Sequence, residues 1–181
     1  AGLRVYGVGA DGSPTLVHTV AGFDNAQKLA ALDDLLFVTD DEELIVVDIA
    51  EPTEAEVIRS EPLNGSPRDV AAADGRVFVA LGARGIDVFD LDSAGDLLFR
   101  GNLRGQGSSQ AVDVRDGLLA VADWSHVSTY DARGLIRLGS ERNTPYPNFE
   151  QDLGVALGDD GLLLVAEWEG VHVLQHRPGY A

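Results

Sequence analysis

The chain has 181 residues, of which 30 are acidic and 13 basic, for a formal charge of −17, and it contains no Cys and no Met. That length fits one ordinary domain, and an apolar fraction of 45% is normal for a packed globular chain. The acid excess argues against nucleic acid and anionic membrane surfaces, whose phosphates need Lys and Arg to displace counterions, and the missing thiols exclude disulfides and cysteine metal sites. In chain order, the sequence opens directly on strand-like Leu3, Val5 and Val8 with no signal-peptide pattern, and reads as a processed or excised piece. Gly7 to Gly12 fits the dinucleotide fingerprint GxGxxG. That site needs a helix N-terminus next, whereas Ser13-Pro14 and a second β-like run follow, so a turn is expected. No apolar run reaches the ~18–20 residues of a bilayer span.

From about residue 25 onward the chain repeats one pattern. A short small-residue strand is followed by an acidic turn, a bulky apolar strand, a polar loop, a third strand and a fourth. The turns are Asp33-Asp34, Asp74-Gly75, Asp116-Gly117 and Asp160-Gly161. Their second members are separated by roughly 41, 42 and 44 residues, the period of propeller blades. With the four strands of a unit called a to d, the a strands are Leu29–Leu32, Val70–Ala73, Val112–Val114 and Leu153–Ala156. The b strands are Leu35–Val38, Val77–Val79, Leu118–Val121 and Leu162–Val165. Each b strand is continuously apolar, as a strand covered on both faces must be. The a strands are rich in Ala and Gly, as suits wedge-shaped blades crowded at an axis. Asp-Gly pairs favour tight a–b hairpins with positive φ, and Asp34 is expected to replace Gly there.

The expected fold is therefore all-β: a β-propeller of four-stranded blades, with four blade-sized repeats plus a surplus strand. Gly2–Tyr6 matches the c strand Gly85–Phe89, and Thr15–Val20 is then a d strand. The single domain divides into 1–24 (partial, c–d), 25–64, 65–107, 108–145 and 146–181 (partial, a–c). Five c strands against four of every other kind imply either part of a larger ring or a small ring with an irregular seam.

The segment Glu43 to Ile58, ELIVVDIAEPTEAEVI, resembles the LVIVD repeat: a Leu-Val-Ile-Val-Asp strand, an acid-Pro turn and another strand. Ala83–Leu98 is a looser copy without the Pro, Val127–Ile136 keeps Tyr130-Asp131, and the last unit has Gln175 in place of the Asp. Phe37-Val38-Thr39 is also similar to the surface-protein repeat with a YVTN signature. The LVIVD resemblance implies a bacterial or archaeal propeller, often secreted or at the cell surface, with a binding or scaffold role and no catalytic residues or cofactor to carry over. Asp48, Asp90 and Asp131, the acids after strand c, are expected to cap the turn into strand d.

Propeller ligands sit at the mouth of the central channel, among b–c and d–a loops. Equal spacing places Asp40, Leu81, Asp123 and Glu167 at one b–c position, and Asp41, Gly82, Trp124 and Trp168 at the next. At the start of strand a stand Gln27, Arg68, Gln110 and Gln151, then Lys28, Asp69, Ala111 and Asp152. The expected binding residues are Gln27, Asp40, Arg68, Asp69, Gln110, Asp123, Trp124, His126, Tyr146, Gln151, Asp152, Glu167 and Trp168. Indoles stack on sugar rings or apolar side chains, and carboxylates accept from hydroxyls or cations. The plain alternative is that these polar groups only hydrate loops. The segment Arg142–Asp152, with Pro145, Tyr146, Pro147 and Phe149, is a second contact candidate or a plug over the channel.

Three functional readings follow. The first is a non-enzymatic module binding a protein or carbohydrate, outside the cytoplasm. The second is a lactonase-like hydrolase whose channel-mouth divalent ion polarises a carbonyl. A Ca²⁺ at Asp40, Asp123 and Glu167 is the weakest element of that reading, since these acids stand on different blades. The third is a set of purely structural blades, with another chain or segment completing the ring. His172 and His176 do not form a zinc pair, because four residues of strand separate them by ~13 Å. Asp123, Trp124 and His126 form one cluster with a candidate catalytic imidazole, but a loop His is more often a surface residue. A salt-adapted or GC-rich prokaryotic source fits the composition. Salt-adaptation predicts a thermal midpoint that climbs as NaCl is raised from ~0.1 to ~1 M, where the Debye length falls from ~10 to ~3 Å; a flat or falling midpoint refutes it.

Overall fold

A computed structural model describes residues 2–142, 152–167 and 170–175. Strands β1 (Leu3–Val8) and β2 (Pro14–Val20) pair as a two-stranded sheet. β3 (Ala26–Leu32), β4 (Leu35–Asp40), β5 (Glu43–Asp48) and β6 (Glu56–Pro62) form the second sheet, in that spatial order. The third sheet is β7 (Asp69–Ala73), β8 (Arg76–Ala80), β9 (Ile86–Leu91) and β10 (Leu97–Leu103). The fourth is β11 (Ala111–Arg115), β12 (Leu118–Ala122), β13 (His126–Asp131) and β14 (Ile136–Arg142). The fifth has three strands, β15 (Asp152–Leu157), β16 (Leu162–Glu167) and β17 (Val171–Gln175). Every pairing is antiparallel between chain neighbours. This is the β-propeller of four-stranded blades read from the repeat, with β1 as the surplus c strand. Among the described residues no α-helix occurs, and no helix is long and apolar enough to cross a membrane.

The sheets cohere through their faces. One cluster joins the first sheet to the second through Leu3, Val5, Val38 and Val47. The next joins second to third through Phe37, Val46, Val79 and Phe89. A third joins third to fourth through Phe78, Val88, Val121 and Tyr130, and a fourth joins fourth to fifth through Ala120, Val127, Leu163 and Val165. In the second, third and fourth sheets the b strand sends alternate residues to opposite neighbours, which is why it carries no polar alternation. Phe37, Phe78 and Leu119 are completely buried. Burying such a side chain stabilises by roughly 1.5–3 kcal/mol.

Turn chemistry follows the sequence in two blades and departs from it in two. Asp74-Gly75 and Asp116-Gly117 hold positive φ at both residues (52° and 71°, 51° and 76°), the geometry of two-residue hairpins matched to strand twist. In the first a–b turn only Asp33 is left-handed, at φ 53°. Asp34 therefore does not adopt the left-handed conformation expected of it; the second turn position is left-handed in the two hairpins where it is glycine, which has no Cβ to strain there. In the last, a short 3₁₀ turn at Asp159–Gly161 lengthens the connection, and the Gly158 N–H donates to the Leu162 carbonyl at 2.8 Å. The Gly7–Gly12 segment is the β1–β2 hairpin, with Asp11 accepting from the Ser13 N–H and hydroxyl.

The acids after strand c cap their turns in two blades. Asp48 accepts from the Ala50 N–H at 2.9 Å and Asp131 from the Arg133 N–H at 3.0 Å. In the third sheet Asp92 takes this role, accepting from Ala94 and Asp96. Asp90 is released to pair with Arg76 at 2.6 Å, and the Arg76 guanidinium also donates to the Ala132 and Arg133 carbonyls of the fourth sheet.

Gly85 supplies a sharp test of this packing. It lies at φ 89°, and a Cβ there would overlap the Leu103 carbonyl oxygen of the adjacent β10. Gly117 lies at φ 76° with open space around it. Gly85→Ala is expected to cost ~3 kcal/mol or more, and Gly117→Ala only the ~1–2 kcal/mol of the left-handed conformation; urea unfolding of the two variants checks the ranking.

Candidate functional site

Of the residues marked out by equal spacing, Asp40, Asp69, Gln110 and Asp123 use their side chains to hold the protein's own backbone. Asp40, at the end of β4, is buried and accepts from the N–H groups of Asp24 (2.8 Å) and Asn25 in the loop entering its own blade. Asp123, at the equivalent place after β12, is fully buried. It accepts from the Ser109 hydroxyl at 2.6 Å, the Gln106 N–H at 3.1 Å and the Ser128 hydroxyl at 3.1 Å. Gly105 and Gly107 pass so close to Asp123 that any Cβ on them would collide with it. In the third sheet the equivalent residue is Leu81, and buried apolar contact replaces the carboxylate. An acid at this position thus fastens a d–a loop to its blade.

The a strands carry a second kind of carboxylate link. Asp69 of β7 accepts from the Val112 N–H of β11 at 3.1 Å, and Asp113 of β11 accepts from the Leu157 N–H of β15 at 2.6 Å. Each ties one inner strand to the next around the axis. Burial pushes the Asp69 carboxyl above the usual carboxylate range, and the Val112 N–H and the nearby Lys28 charge oppose that shift. Lys28 is the only lysine of the chain, and it stands near enough to Asp69 for its charge to act on that carboxyl.

The remaining candidates are less engaged. Gln27 and Arg68 are exposed, and Gln110 donates to the Ser108 carbonyl and hydroxyl at 3.1 and 2.8 Å. Trp124 is exposed and left-handed at φ 65°. His126 contacts the Ser125 hydroxyl at 3.0 Å and meets no carboxylate, so the Asp123–Trp124–His126 cluster is adjacent in sequence without forming a proton relay. Glu167 faces His172 at 3.2 Å across the β16–β17 hairpin. Asp152 begins β15 by its backbone. Tyr146, Gln151 and Trp168, with the Pro145–Phe149 segment and His176, lie outside the described residues. Among the described residues no three of His, Asp or Glu gather closely enough to hold a metal ion. The three-acid convergence that a lactonase-like centre needs is not found there.

A concavity lies between the second and third sheets. It is a groove of about 480 Å³, within the range of small-ligand sites. Its wall is built by Asn64 after β6, Arg84 in the β8–β9 loop, Phe89 of β9, Phe99 and Asn102 of β10, and Arg104 beyond. Asp87 is buried at its floor and accepts from the Asn102 amide at 2.7 Å, while Arg84 donates to the Asn64 carbonyl oxygen at 3.0 Å. Phe89 and Phe99 meet edge to face with centroids 5.6 Å apart. Among the described residues neither Arg84 nor Arg104 has a carboxylate within 4 Å. Periodicity does not reveal this groove, because its wall comes from three segments at unequal repeat positions. The one sequence signal is Phe99, an aromatic on an outer strand where the neighbouring blades carry Val57 and Arg137.

No family model matches the sequence, and no curated protein matches it. Among solved structures, the computationally designed Ika4 protein is 12% identical with a TM-score of 0.68, over 88% of this chain and 96% of that one. The computationally designed Ika8 protein is 12% identical with a TM-score of 0.69, over 91% of this chain and 50% of that one. Hydrazine synthase of Kuenenia stuttgartiensis is 13% identical with a TM-score of 0.66, over 82% of this chain and 43% of that one. The chain thus spans about half the length of the latter two. At these identities the likeness shows the fold alone.

The carboxyl of Asp69 gives a pH test. Because its proton is held more tightly in the folded than in the unfolded chain, the group favours folding in acid and opposes it as pH rises through its folded-state titration. Asp69→Asn, which can still accept from Val112, is expected to raise the unfolding free energy at pH 7. The gain should shrink as pH falls through the carboxylate range; denaturant curves at pH 3, 5 and 7 check it.

Proposed function

We propose that this chain is a non-enzymatic β-propeller binding module whose ligand, a segment of another protein, lies in the groove between the second and third sheets. The observation that supports this is the pairing of two carboxylate-free guanidinium groups, Arg84 and Arg104, with the aromatic pair Phe89–Phe99 in one concavity. Arg and aromatic side chains dominate the energetics of protein interfaces, because a flat ring gives large contact area at low entropy cost and a guanidinium forks onto a carboxylate. The ligand is accordingly an acidic segment carrying an apolar or aromatic anchor. Its carboxylate meets Arg84 or Arg104, and its anchor covers Phe99, which is 61% exposed.

The strand Glu43–Asp48 and its Pro52 turn add, through their resemblance to LVIVD repeats, a secreted or surface-exposed setting for such binding. The channel mouth is the less favoured place, since Asp40 and Asp123 already accept from loop amides and hydroxyls.

A displayed random-peptide library panned on the immobilised chain, alongside a glycan array, tests the reading. The expected result is enrichment of peptides with an acid beside a large apolar residue, whose binding falls ten-fold or more, about 1.4 kcal/mol, on Phe99→Ala and on Arg104→Ala. Glycan binding without peptide enrichment, or peptides indifferent to both variants, overturns it.

A further inference from the structure

The floor of the groove between the second and third sheets holds a carboxylate that the protein only half satisfies. Asp87 lies on β9 two residues before Phe89, so strand alternation puts both side chains on the face turned to the second sheet. Asp87 is 6% exposed. One of its oxygens accepts from the Asn102 amide at 2.7 Å. Among the described residues the other oxygen takes no hydrogen bond, and it is not sealed inside the protein, so it opens on the groove that the residue lines. Neither Arg84 nor Arg104 comes within 4 Å of it.

The fold does not need an acid at this position. Counted from the a–b turns, Val38, Val79 and Val121 correspond, and their partners on the c strands are Ile45, Asp87 and Ser128. Ile45 is buried in an apolar cluster. Ser128 is fully buried, and its hydroxyl is bonded to Asp123 and Ser140. Both neighbours are thus satisfied without a charge. A carboxylate this deep is unfavourable unless a cation or several donors meet it. The groove is also balanced in sign: Glu61 and Asp87 line it together with Arg84 and Arg104, in a chain whose net charge is −17. A purely acidic ligand would satisfy the arginines and leave the floor without a partner.

We propose that Asp87 receives the ammonium group of a lysine carried by the bound segment, an inference that rests on the groove being the binding site. A primary ammonium suits a single open oxygen, whereas a guanidinium forks onto two, and Asn102 already holds one of them. The rings of Phe89 and Phe99 line the same cavity. Aromatic faces attract a cation, and the apolar stem of a lysine lies along the exposed Phe99 while its charged end goes deeper. The segment's own acid, held by Arg84 or Arg104, offsets the repulsion that these two groups exert on its lysine. The ligand therefore carries both signs: an acid for the exposed arginines, an apolar contact for Phe99 and a lysine for the floor.

Pairs of synthetic peptides with acetylated and amidated ends test this. Each pair contains Glu-Leu and differs only in having Lys or Gln at one nearby position. Calorimetric titration is made into the unaltered chain and into Phe99→Ala, Arg104→Ala and Asp87→Asn, the last of which keeps an oxygen for the Asn102 amide. One pair is expected to favour Lys by about ten-fold or more, the scale of a hydrogen bond between charged groups. Asp87→Asn should abolish that preference and leave the loss on Arg104→Ala unchanged. A small probe, Nα-acetyl-lysine methylamide, should shift the Asn102 side-chain signals in nuclear magnetic resonance spectra of the unaltered chain, and Nα-acetyl-glutamine methylamide should not; this arm stands even if Asp87→Asn fails to fold. Lys and Gln peptides of equal affinity that still respond to Phe99→Ala and Arg104→Ala overturn the lysine inference and leave the groove as the binding site. Peptides indifferent to those two variants overturn both. A lysine probe that moves no Asn102 signal, or a glycan whose binding is lost on Asp87→Asn, refutes the assignment of the floor to an ammonium group.

Discussion

Everything in this molecule depends on each of the three interior sheets being covered on both faces by its neighbours in the chain. A b strand such as Leu35–Asp40 sends Phe37 one way and Leu36 and Val38 the other, and neither side meets water. Hydrophobic burial is then shared across consecutive blades and no single sheet contains a core of its own. Among the described residues the first sheet shares a core cluster with the second and the fifth with the fourth. Large apolar side chains are exposed both there, at Val8, Val171 and Val173, and on the interior sheets, at Leu29, Phe99 and Ile136.

Radial crowding explains the second layer of organisation. Small a strands such as Val-Ala-Ala-Ala let successive blades approach at the axis, where little side-chain volume remains to hold them. Short carboxylates do the joining instead: Asp69 reaches the Val112 amide and Asp113 the Leu157 amide. At the periphery, where blades diverge, long arginines span the gap, as Arg76 does from Asp90 to the carbonyls of the fourth sheet. Much of the acid excess near the backbone is occupied in receiving N–H groups, and the rest makes the surface self-repelling.

That distribution shifts attention from the channel mouth to the groove between the second and third sheets. The carboxylates marked out by equal spacing are those the fold uses on itself, because a position that recurs in every blade answers a need that recurs in every blade. A ligand site breaks the repeat. Phe99 answers to Val57 and Arg137 in the neighbouring sheets, and Arg84 stands in a longer β8–β9 loop, so the groove combines residues that the repeat does not copy together. His126 teaches the same lesson in reverse: adjacent to Asp123 in sequence, it is turned to Ser125, while the carboxylate serves Ser109 and Ser128.

The strand order, the phase of the repeat, the Asp-Gly hairpins at Asp74 and Asp116 and the small inner strands were all legible in the amino-acid sequence. Each rests on local chemistry repeated at a fixed period: alternation, turn propensity and residue size. Where locality fails, so does legibility. The left-handed turn at Asp33 without its expected partner at Asp34, the exchange of roles between Asp90 and Asp92, and the use of Asp40 and Asp123 as loop anchors depend on which distant groups face them. Only the tertiary structure decided those, together with the groove, because a contact between segments forty residues apart leaves no trace in the pattern of either one.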